Sequence, residues 1–322
     1  MRIRATAAAA VISGAVALTA VVIPAAQAAG PTRHQAWQLA QKGALGHPAA
    51  AHSTALARSA AVSPAADPAP LAVTFANVKV NSGKAIVVGT TNAVRVPYTY
   101  TLTAVSTTAA PIDPTDSTNF VTGVGLYRGD NIVFGDNPAT CKAAAPVTGP
   151  TGAVTTTESC TGRVDIYPKG SEDDGQSGLT TADAGAHWQA QAIAIDLAGQ
   201  TPNEVQKQGF ASPTLQRFSQ LTVNASPEPV KKGGTVTIVG SLTRANWDTH
   251  KYAGYTVQPV KLQFRKATST TYTTLKTVKT DSHGNLKTTY KASVAGYWRY
   301  SFAGTPTTPA ISAIGDYVAL KK

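Results

Sequence analysis

The fold of this chain is decided by residues Val257–Gly304, which read VQPVKLQFRKATSTTYTTLKTVKTDSHGNLKTTYKASVAGYWRYSFAG. One run within it alternates apolar and polar side chains, in the order Val260, Lys261, Leu262, Gln263, Phe264 and Arg265. Runs that end at Lys291 and at Phe302 repeat this period of two. Successive side chains of a β-strand point to opposite faces, so the period predicts antiparallel strands with one buried and one exposed face.

The segments between these runs predict how the strands connect. Asp281–Asn285 contains Asp, Ser, Gly and Asn, residue types that tolerate turn geometry, and we expect a tight turn there. Leu275 and Val278 are three positions apart, so a strict alternation cannot bury both of them. A β-bulge at this point would restore the phase, because a bulge adds one residue to one strand of a pair.

The whole chain has 322 residues, a length that suggests about two domains. Gly and Pro recur at short intervals, and no convincing helical period follows residue 60. Further predicted strands are Val94–Leu102, Val121–Tyr127 and Arg163–Tyr167. We therefore predict an all-β fold with two immunoglobulin-like β-sandwich domains in tandem, the first over residues 71–220, with long loops, and the second over residues 221–322.

The first 70 residues differ from the rest of the chain. A basic start precedes an apolar run, and Ala26–Ala28 forms a small-x-small cleavage site, so residues 1–28 have the pattern of a secretory signal peptide. Residues 29–70 are rich in Ala and Pro and predict a flexible spacer or pro-segment, whose large apolar residues, such as Trp37, are too few to form a core. We expect an extracellular, secreted protein with no transmembrane anchor, held at a cell wall by non-covalent contacts if it is held there.

The second predicted domain resembles a known module. Residues Ser226–Gly240 read SPEPVKKGGTVTIVG. Lys276–Leu286 begin with KTVKTD, and Gly284 and Leu286 follow near the end of this run. Gly296 is followed by Trp298 and Arg299. These motifs are similar to those of immunoglobulin-like modules in secreted actinobacterial proteins. The resemblance implies a fold and no particular activity.

The two cysteines of the chain, Cys141 and Cys160, predict one disulfide. Two cysteines in an exported chain most simply pair with each other in an oxidising compartment. Closing a loop of this length would stabilise the fold by about 3 kcal/mol, because it removes entropy from the unfolded chain. Neither a CxxC spacing nor a neighbouring histidine points to a redox or metal site.

The positive charge is concentrated in the second predicted domain. The net charge of the chain is +11, and residues 221–322 carry fourteen basic and four acidic side chains. Seven basic residues lie on predicted strands: Lys261, Arg265, Lys276, Lys279, Lys287, Lys291 and Arg299. A sheet face of this kind attracts polyanions, so we predict binding to an anionic cell-wall polymer or another extracellular polyanion. The alternative is that these side chains keep the sandwich soluble and its edges unpaired.

One acidic loop is a candidate calcium site. Glu172, Asp173 and Asp174 lie in this loop, and Asp165 precedes it on a predicted strand. Clustered carboxylates supply the oxygen ligands that Ca²⁺ prefers, but the spacing of an EF-hand is missing. A solvated acidic turn is the alternative, and we predict no other cofactor.

The motifs of common catalytic sites are missing from the sequence. It contains no HExxH, no GxSxG and no P-loop, and no motif that reads a nucleic-acid sequence. These observations favour a secreted, non-catalytic binding or structural protein of the cell envelope, with a basic second domain that contacts anionic wall polymers. Two alternatives stay open: a secreted hydrolase with its site in the long loops of residues 71–220, and a calcium-dependent adhesion module.

Overall fold

The computed structural model describes Gln35, Trp37 and Gln38 together with residues 71–129, 131–172, 175–185, 188–199 and 202–321. The predicted signal peptide and most of the predicted spacer lie outside the described residues. The described chain is all-β, as predicted, and forms two immunoglobulin-like sandwiches in tandem. Within these residues, no helix has the length and apolar character that are needed to cross a bilayer.

The first sandwich is built from two antiparallel sheets. Its strands are β1 (Val73–Val80), β2 (Ile86–Val88), β3 (Val94–Ser106), β4 (Phe120–Arg128), β5 (Asn131–Val133), β6 (Thr140–Ala143), β7 (Val147–Thr148), β8 (Val154–Ile166), β9 (Gln189–Asp196), β10 (Asn203–Ala211) and β11 (Leu215–Arg217). Two short 3-10 helices, Asn81–Gly83 and Thr181–Asp183, lie between strands. One sheet has the order β1-β3-β8-β6, with β7 also on β8, and the other has the order β10-β9-β4-β5. The β2 and β11 strands form a separate parallel pair.

The main core of this sandwich lies between the two sheets. The alternation predicted for β3 is confirmed, because its even-numbered positions from 96 to 104 are all buried. Three alanines of β9 are buried in the same cluster, Ala190, Ala192 and Ala194. The hydroxyl groups of Tyr100 and Thr122 hydrogen-bond across the gap between the sheets at 2.8 Å. A large side chain of one sheet is thus fixed against the other sheet by a buried polar contact.

The second sandwich is built from two five-stranded sheets. Its strands are β12 (Ser219–Leu221), β13 (Asn224–Ser226), β14 (Thr235–Asn246), β15 (Lys251–Gly254), β16 (Pro259–Lys266), β17 (Thr273–Lys279), β18 (Asn285–Lys291), β19 (Gly296–Phe302), β20 (Ile311–Ser312) and β21 (Asp316–Val318). In one sheet β14 is central, with β12 and β13 along one side and β15 and β18 along the other. The other sheet has the order β17-β16-β19, and both β20 and β21 pair with β19. The second sandwich begins at β12, two residues before the boundary predicted at 221.

The alternating residues of Val257–Gly304 are buried and exposed as their pattern predicts. Val260, Leu262, Trp298, Tyr300 and Phe302 are all buried in the core of the second sandwich. The Tyr300 hydroxyl donates a hydrogen bond to the backbone oxygen of Ile238 in the opposite sheet, at 2.9 Å. The apolar face of the sequence pattern is therefore the face that meets the other sheet.

The predicted bulge and turn are both present. The register of the β16–β17 pair shifts between Leu262 and Gln263, so that Leu275 is passed over. As a result, Leu275 and Val278 both pack against the core, although they are three positions apart. The Asp281 carboxylate then closes the turn to β18, because it accepts the backbone N–H groups of His283 and Asn285, each at 2.8 Å.

One residue of the predicted spacer, Trp37, is packed against the first sandwich. Trp37 is fully buried in a second apolar cluster, on the face of the β10-β9-β4-β5 sheet that points away from the main core. Gln35, Trp37 and Gln38 have helical backbone geometry. The apolar residues of this segment are too few to form a core of their own, and Trp37 instead packs against partners that the folded sheet supplies.

The two sandwiches are joined by an inserted hairpin turn. Trp247, at the turn between β14 and β15, is fully buried and belongs to the core cluster of the first sandwich. Its indole N–H donates to the backbone oxygen of Gly89 at 2.9 Å. The neighbouring Asp248 carboxylate accepts the backbone N–H of Thr181 at 3.0 Å. The junction is therefore packed and hydrogen-bonded, so it differs from a flexible linker.

We expect Trp247→Ala to lower the free energy of unfolding by about 3–5 kcal/mol, because it empties a fully buried site. It should also uncouple the sandwiches, so that calorimetry shows two thermal transitions where the unaltered chain shows one. Trp247→Phe is the matched control, since it keeps most of the apolar contact and loses the bond to Gly89. A single, unshifted transition in the alanine variant would contradict this account of the junction.

Candidate functional site

Four of the seven predicted basic residues lie together. Lys261 and Arg265 of β16, Lys279 of β17 and Arg299 of β19 point outward from the same sheet. On β16 and β19 the basic residues alternate with buried residues, and Lys279 of β17 follows Val278, which packs against the core. The pleat therefore directs all four away from the core. This outer face holds positive charge on three adjacent strands.

The other three predicted basic residues do not lie on this outer face. The expectation that all seven share one sheet face is therefore corrected. Lys287 and Lys291 belong to β18 in the opposite sheet. They alternate with Leu286 and Tyr290, which face the core, so both lysines point outward. Lys276 lies at the edge between the sheets, and its ammonium group donates to the backbone oxygen of Thr289 at 2.8 Å. Strand alternation predicts the side of a strand on which a residue lies, but not the sheet to which the strand belongs.

The outer face of the β16–β19 pair carries a stack of arginine and tyrosine side chains. The Arg265 guanidinium lies over the Tyr297 ring at 3.6 Å and 5.4 Å from the Tyr272 ring. The Arg299 guanidinium lies over the Tyr272 ring at 3.7 Å. Tyr297 also packs against Tyr317, with ring centroids 5.0 Å apart. We call these five residues the arginine–tyrosine face.

Local hydrogen bonds hold both guanidinium groups of this face in place. Arg265 donates from one terminal nitrogen to the backbone oxygen of Ser269 at 2.8 Å. Arg299 donates from Nε to the side-chain oxygen of Gln263, also at 2.8 Å. Each of these bonds uses one of the five N–H groups of a guanidinium. Stacking and hydrogen bonding therefore fix the orientation of the two groups while most of their donors stay available.

Neither arginine of this face is paired with a carboxylate in the described part of the chain. The side-chain ion pairs found there, Arg95 with Asp165 and Arg128 with Asp183, both lie in the first sandwich. A guanidinium that is held by aromatic rings keeps its full charge and can form two parallel hydrogen bonds with one phosphate or carboxylate. The arginine–tyrosine face therefore has the chemistry of an anion-binding surface.

The three tyrosines of this face were not among the predicted site residues. Tyr297 carries a usable signal, because it is an aromatic residue in the outward phase of a strand whose inward phase holds Trp298 and Tyr300. Tyr272 lies in the loop before β17 and carries no periodic signal, yet its hydroxyl reaches Gly315, where a Cβ atom would overlap it. Only the folded structure shows that this loop lies across the sheet.

The candidate calcium residues are not gathered into one site among the described residues. Asp165 is buried, and its carboxylate accepts the backbone N–H of Asp136 at 2.9 Å and lies 3.5 Å from Arg95. Glu172 is exposed in a tight turn. Asp173 and Asp174 lie outside the described residues. The described part of the chain therefore supplies no grouped carboxylates for calcium.

The predicted disulfide between Cys141 and Cys160 is confirmed. The two cysteines are directly opposite each other on the adjacent strands β6 and β8, with a Cα–Cα distance of 4.0 Å. The bridge thus joins two strands of one sheet and does not cross the core. Glu158, two residues before Cys160, is close to both sulfur atoms. Because both sulfurs are in the disulfide, this group is not available to bind a metal ion.

Glu158 is an acidic residue inside the first sandwich. It is 2% exposed, and one of its carboxylate oxygens has no hydrogen-bond partner. Burial, and secondarily the charge of Asp113, raises the pKa of Glu158 to about 7. A raised pKa near a second carboxylate is a feature of some catalytic acids. However, Glu158 is too deeply buried to contact a polymeric substrate, so we interpret it as part of the core.

The alternative of a hydrolase site in the loops of residues 71–220 gains no support from the described surface. Two depressions of this surface are shallow, with volumes of about 320 and 310 Å³. One is lined by Gln216 and residues 303–305 and 308–310, none of which is ionisable. The other borders the arginine–tyrosine face, and Lys261 is its one ionisable residue. Both depressions lie mainly on the second sandwich.

Comparisons with known proteins identify no family for the chain. No protein-family model matches the sequence, and no curated protein matches it. Among solved structures, a chimeric titin Z1Z2-Z1Z2 tandem functionalized with a GRGDS peptide from fibronectin is 11% identical over 78% of this chain and 100% of its own, with a TM-score of 0.23. The ectodomain of mouse nectin-like molecule 4, Ig1–Ig3, is 12% identical over 78% of this chain and 65% of its own, also with a TM-score of 0.23. The fold assignment rests on the strand order described above.

Glu158 should make the stability of the chain depend on pH. Because the pKa of Glu158 is raised from 4.5 to about 7, the folded chain holds this proton more tightly than the unfolded chain does. Its contribution to the free energy of unfolding is therefore complete below pH 4.5 and is lost as the pH rises to about 7. We expect Glu158→Gln to raise the melting temperature by about 5 °C at pH 8 and to change it little at pH 4.

Glu204→Gln is the matched control for this experiment, because it removes the same charge from an exposed position on β10. Melting temperatures measured by circular dichroism between pH 4 and pH 8 give the comparison. The burial argument fails if the two variants show the same pH profile.

Proposed function

We propose that this chain is a secreted, non-catalytic binding protein whose second sandwich binds an anionic polymer of the cell envelope. The observation that carries the proposal is the pair of stacked guanidinium groups on the arginine–tyrosine face, Arg265 and Arg299, which have no carboxylate partner among the described residues. Here the partner would come from the ligand.

The chemistry of the face favours a repeating polymer with phosphate or carboxylate groups. Lys261 and Lys279 extend the positive charge along the same sheet face beyond the two arginines. A chain of anionic groups could therefore contact several cations in succession. The exposed Tyr317, which is 41% accessible, adds an aromatic ring beside the charged groups. Aromatic rings contribute apolar contact at little entropic cost, which suits a ligand that carries sugar or polyol units between its charges.

The other charges of the second sandwich attract a polyanion from a distance, but they do not determine how the bound polymer is oriented. Residues 221–322 carry ten more basic than acidic side chains, so a long-range field attracts polyanions to this domain. Lys287 and Lys291 contribute to that field from the opposite sheet. They lack the aromatic rings that hold the two arginines, and we expect them to contribute little to the bound state.

The proposal predicts that the full chain binds purified cell walls at low salt and is released at about 0.5 M salt, because exposed charge attraction is screened. We expect Arg265→Gln/Arg299→Gln to weaken binding about tenfold or more, since each change removes charge-assisted hydrogen bonds. Co-sedimentation with walls at several salt concentrations gives the affinities.

The matched control is Lys287→Gln/Lys291→Gln, which removes the same two charges from the opposite sheet face. This control should change the affinity by about threefold at most. Equal losses in both double variants would show that only net charge matters and would rule out the arginine–tyrosine face as the binding surface. Failure of the unaltered chain to bind walls at low salt would overturn the proposal itself.

A further inference from the structure

The second apolar cluster of the first sandwich has the form of a binding site. It lies on the outer face of the β10-β9-β4-β5 sheet, and the sheet contributes residues from three strands and the segment after β5: Val121, Ile132, Phe134, Ile193 and Ile195. The remaining member is Trp37, which precedes the first strand by more than thirty residues of sequence. We call the five sheet residues, with Gly123 and Gly135, the Trp37 seat.

The seat is shaped to fit a large planar ring. Gly123 lies beneath the indole, and a Cβ atom there would overlap the ring of Trp37. Phe134 stands edge-on to the indole, with ring centroids 5.6 Å apart and an interplanar angle of 81°. Phe134 itself lies over Gly125, where a Cβ atom would again overlap the ring. Two glycines within one strand thus give the sheet the flat floor on which both rings lie.

The seat also recognises the one polar atom of the indole. The Trp37 Nε1–H donates to the backbone oxygen of Gly135 at 2.8 Å, in a buried hydrogen bond. An indole fulfils both requirements of the site, because it fills the apolar floor and supplies this donor. A phenyl ring has no donor and would lose this hydrogen bond to the Gly135 oxygen.

The seat is separate from the main core of the sandwich. The core cluster contains Val124 and Leu126 of β4 and the alanines of β9, and it contains neither Trp37 nor any residue of the seat. The sheet is held on its inner side by that core and by its own ladders to neighbouring strands. Trp37 therefore lies outside the main core, where it covers apolar side chains of the sheet that would otherwise face water.

We propose that the Trp37 seat is a binding site for a tryptophan-bearing peptide segment, which the chain's own Trp37 occupies as a tethered ligand. A peptide with the sequence of residues 31–42, PTRHQAWQLAQK, should then bind in trans to a chain whose own tryptophan has been removed. This binding is independent of the arginine–tyrosine face, which lies on the other sandwich.

The test uses the full chain with the substitution Trp37→Ala as the receptor and a fluorescently labelled 31–42 peptide as the probe. We expect saturable binding by fluorescence anisotropy at peptide concentrations below about 1 mM. The same peptide with Trp37→Phe should bind about three- to tenfold more weakly, because it keeps the ring and loses one hydrogen bond. The peptide with Trp37→Ala should show no saturable binding.

The seat itself is tested with a second receptor, which carries Trp37→Ala together with Gly123→Ala. The added methyl group occupies the space of the indole and meets Trp37 before any other group, so it should abolish binding of the unaltered peptide. The unaltered chain should bind the peptide more weakly than the Trp37→Ala chain, because its own tryptophan competes in cis.

Three results would overturn the proposal. The first is equal binding of the peptide to the Trp37→Ala chain and to the chain with both substitutions. The second is no saturable binding below about 1 mM to a Trp37→Ala chain that melts at the same temperature as the unaltered chain. The third is a Trp37→Ala chain that fails to fold, as judged by circular dichroism, because Trp37 would then be part of the core and not a ligand.

Discussion

The insertion of Trp247 into the first sandwich is the contact on which the rest of the architecture depends. A tandem of two sandwiches joined by a plain linker would let the domains reorient freely. Here the chain passes from β11 to β12 through one residue, Phe218, so that consecutive strands belong to different sandwiches. The hairpin turn then returns from the second sandwich and buries an indole in the first. Two separate connections therefore join the sandwiches: the chain itself at Phe218, and the contacts of the hairpin turn that carries Trp247.

The arginine–tyrosine face shows how a sheet can hold cations in position without acidic partners. A lysine on an exposed strand has many rotamers, and binding an anion would order it at an entropic cost. Arg265 and Arg299 are already ordered by ring contacts and by one hydrogen bond each. The guanidinium suits this arrangement, because it is planar, stacks on aromatic rings and is more weakly hydrated than an ammonium group. The same charge in a lysine would not be held in this way.

Much of the fold followed from local patterns, and the exceptions have physical causes. Alternation located β3, β16 and β19, and the spacing of Leu275 and Val278 located the bulge. The pattern missed the first half of β8, because its inward positions there include the polar residues Thr156 and Glu158. The division of the seven basic residues between two sheets depends on long-range pairing, which no local period encodes. The burial of Trp37 had one local sign, the two glycines inside β4, which mark a close approach to a strand.

The hydrogen bond from Lys276 to the backbone of Thr289 affects whether two copies of the chain can pair through their edge strands. Lys276 lies on β17 and Thr289 on β18, which are edge strands of the two sheets on the same side of the second sandwich. An open edge offers unpaired backbone groups to any neighbouring strand, and a lysine there hinders such pairing. A polymer that binds many copies would bring these edges close to one another. A strand of a second copy would have to displace this lysine bridge before it could pair with the backbone of β18 at Thr289.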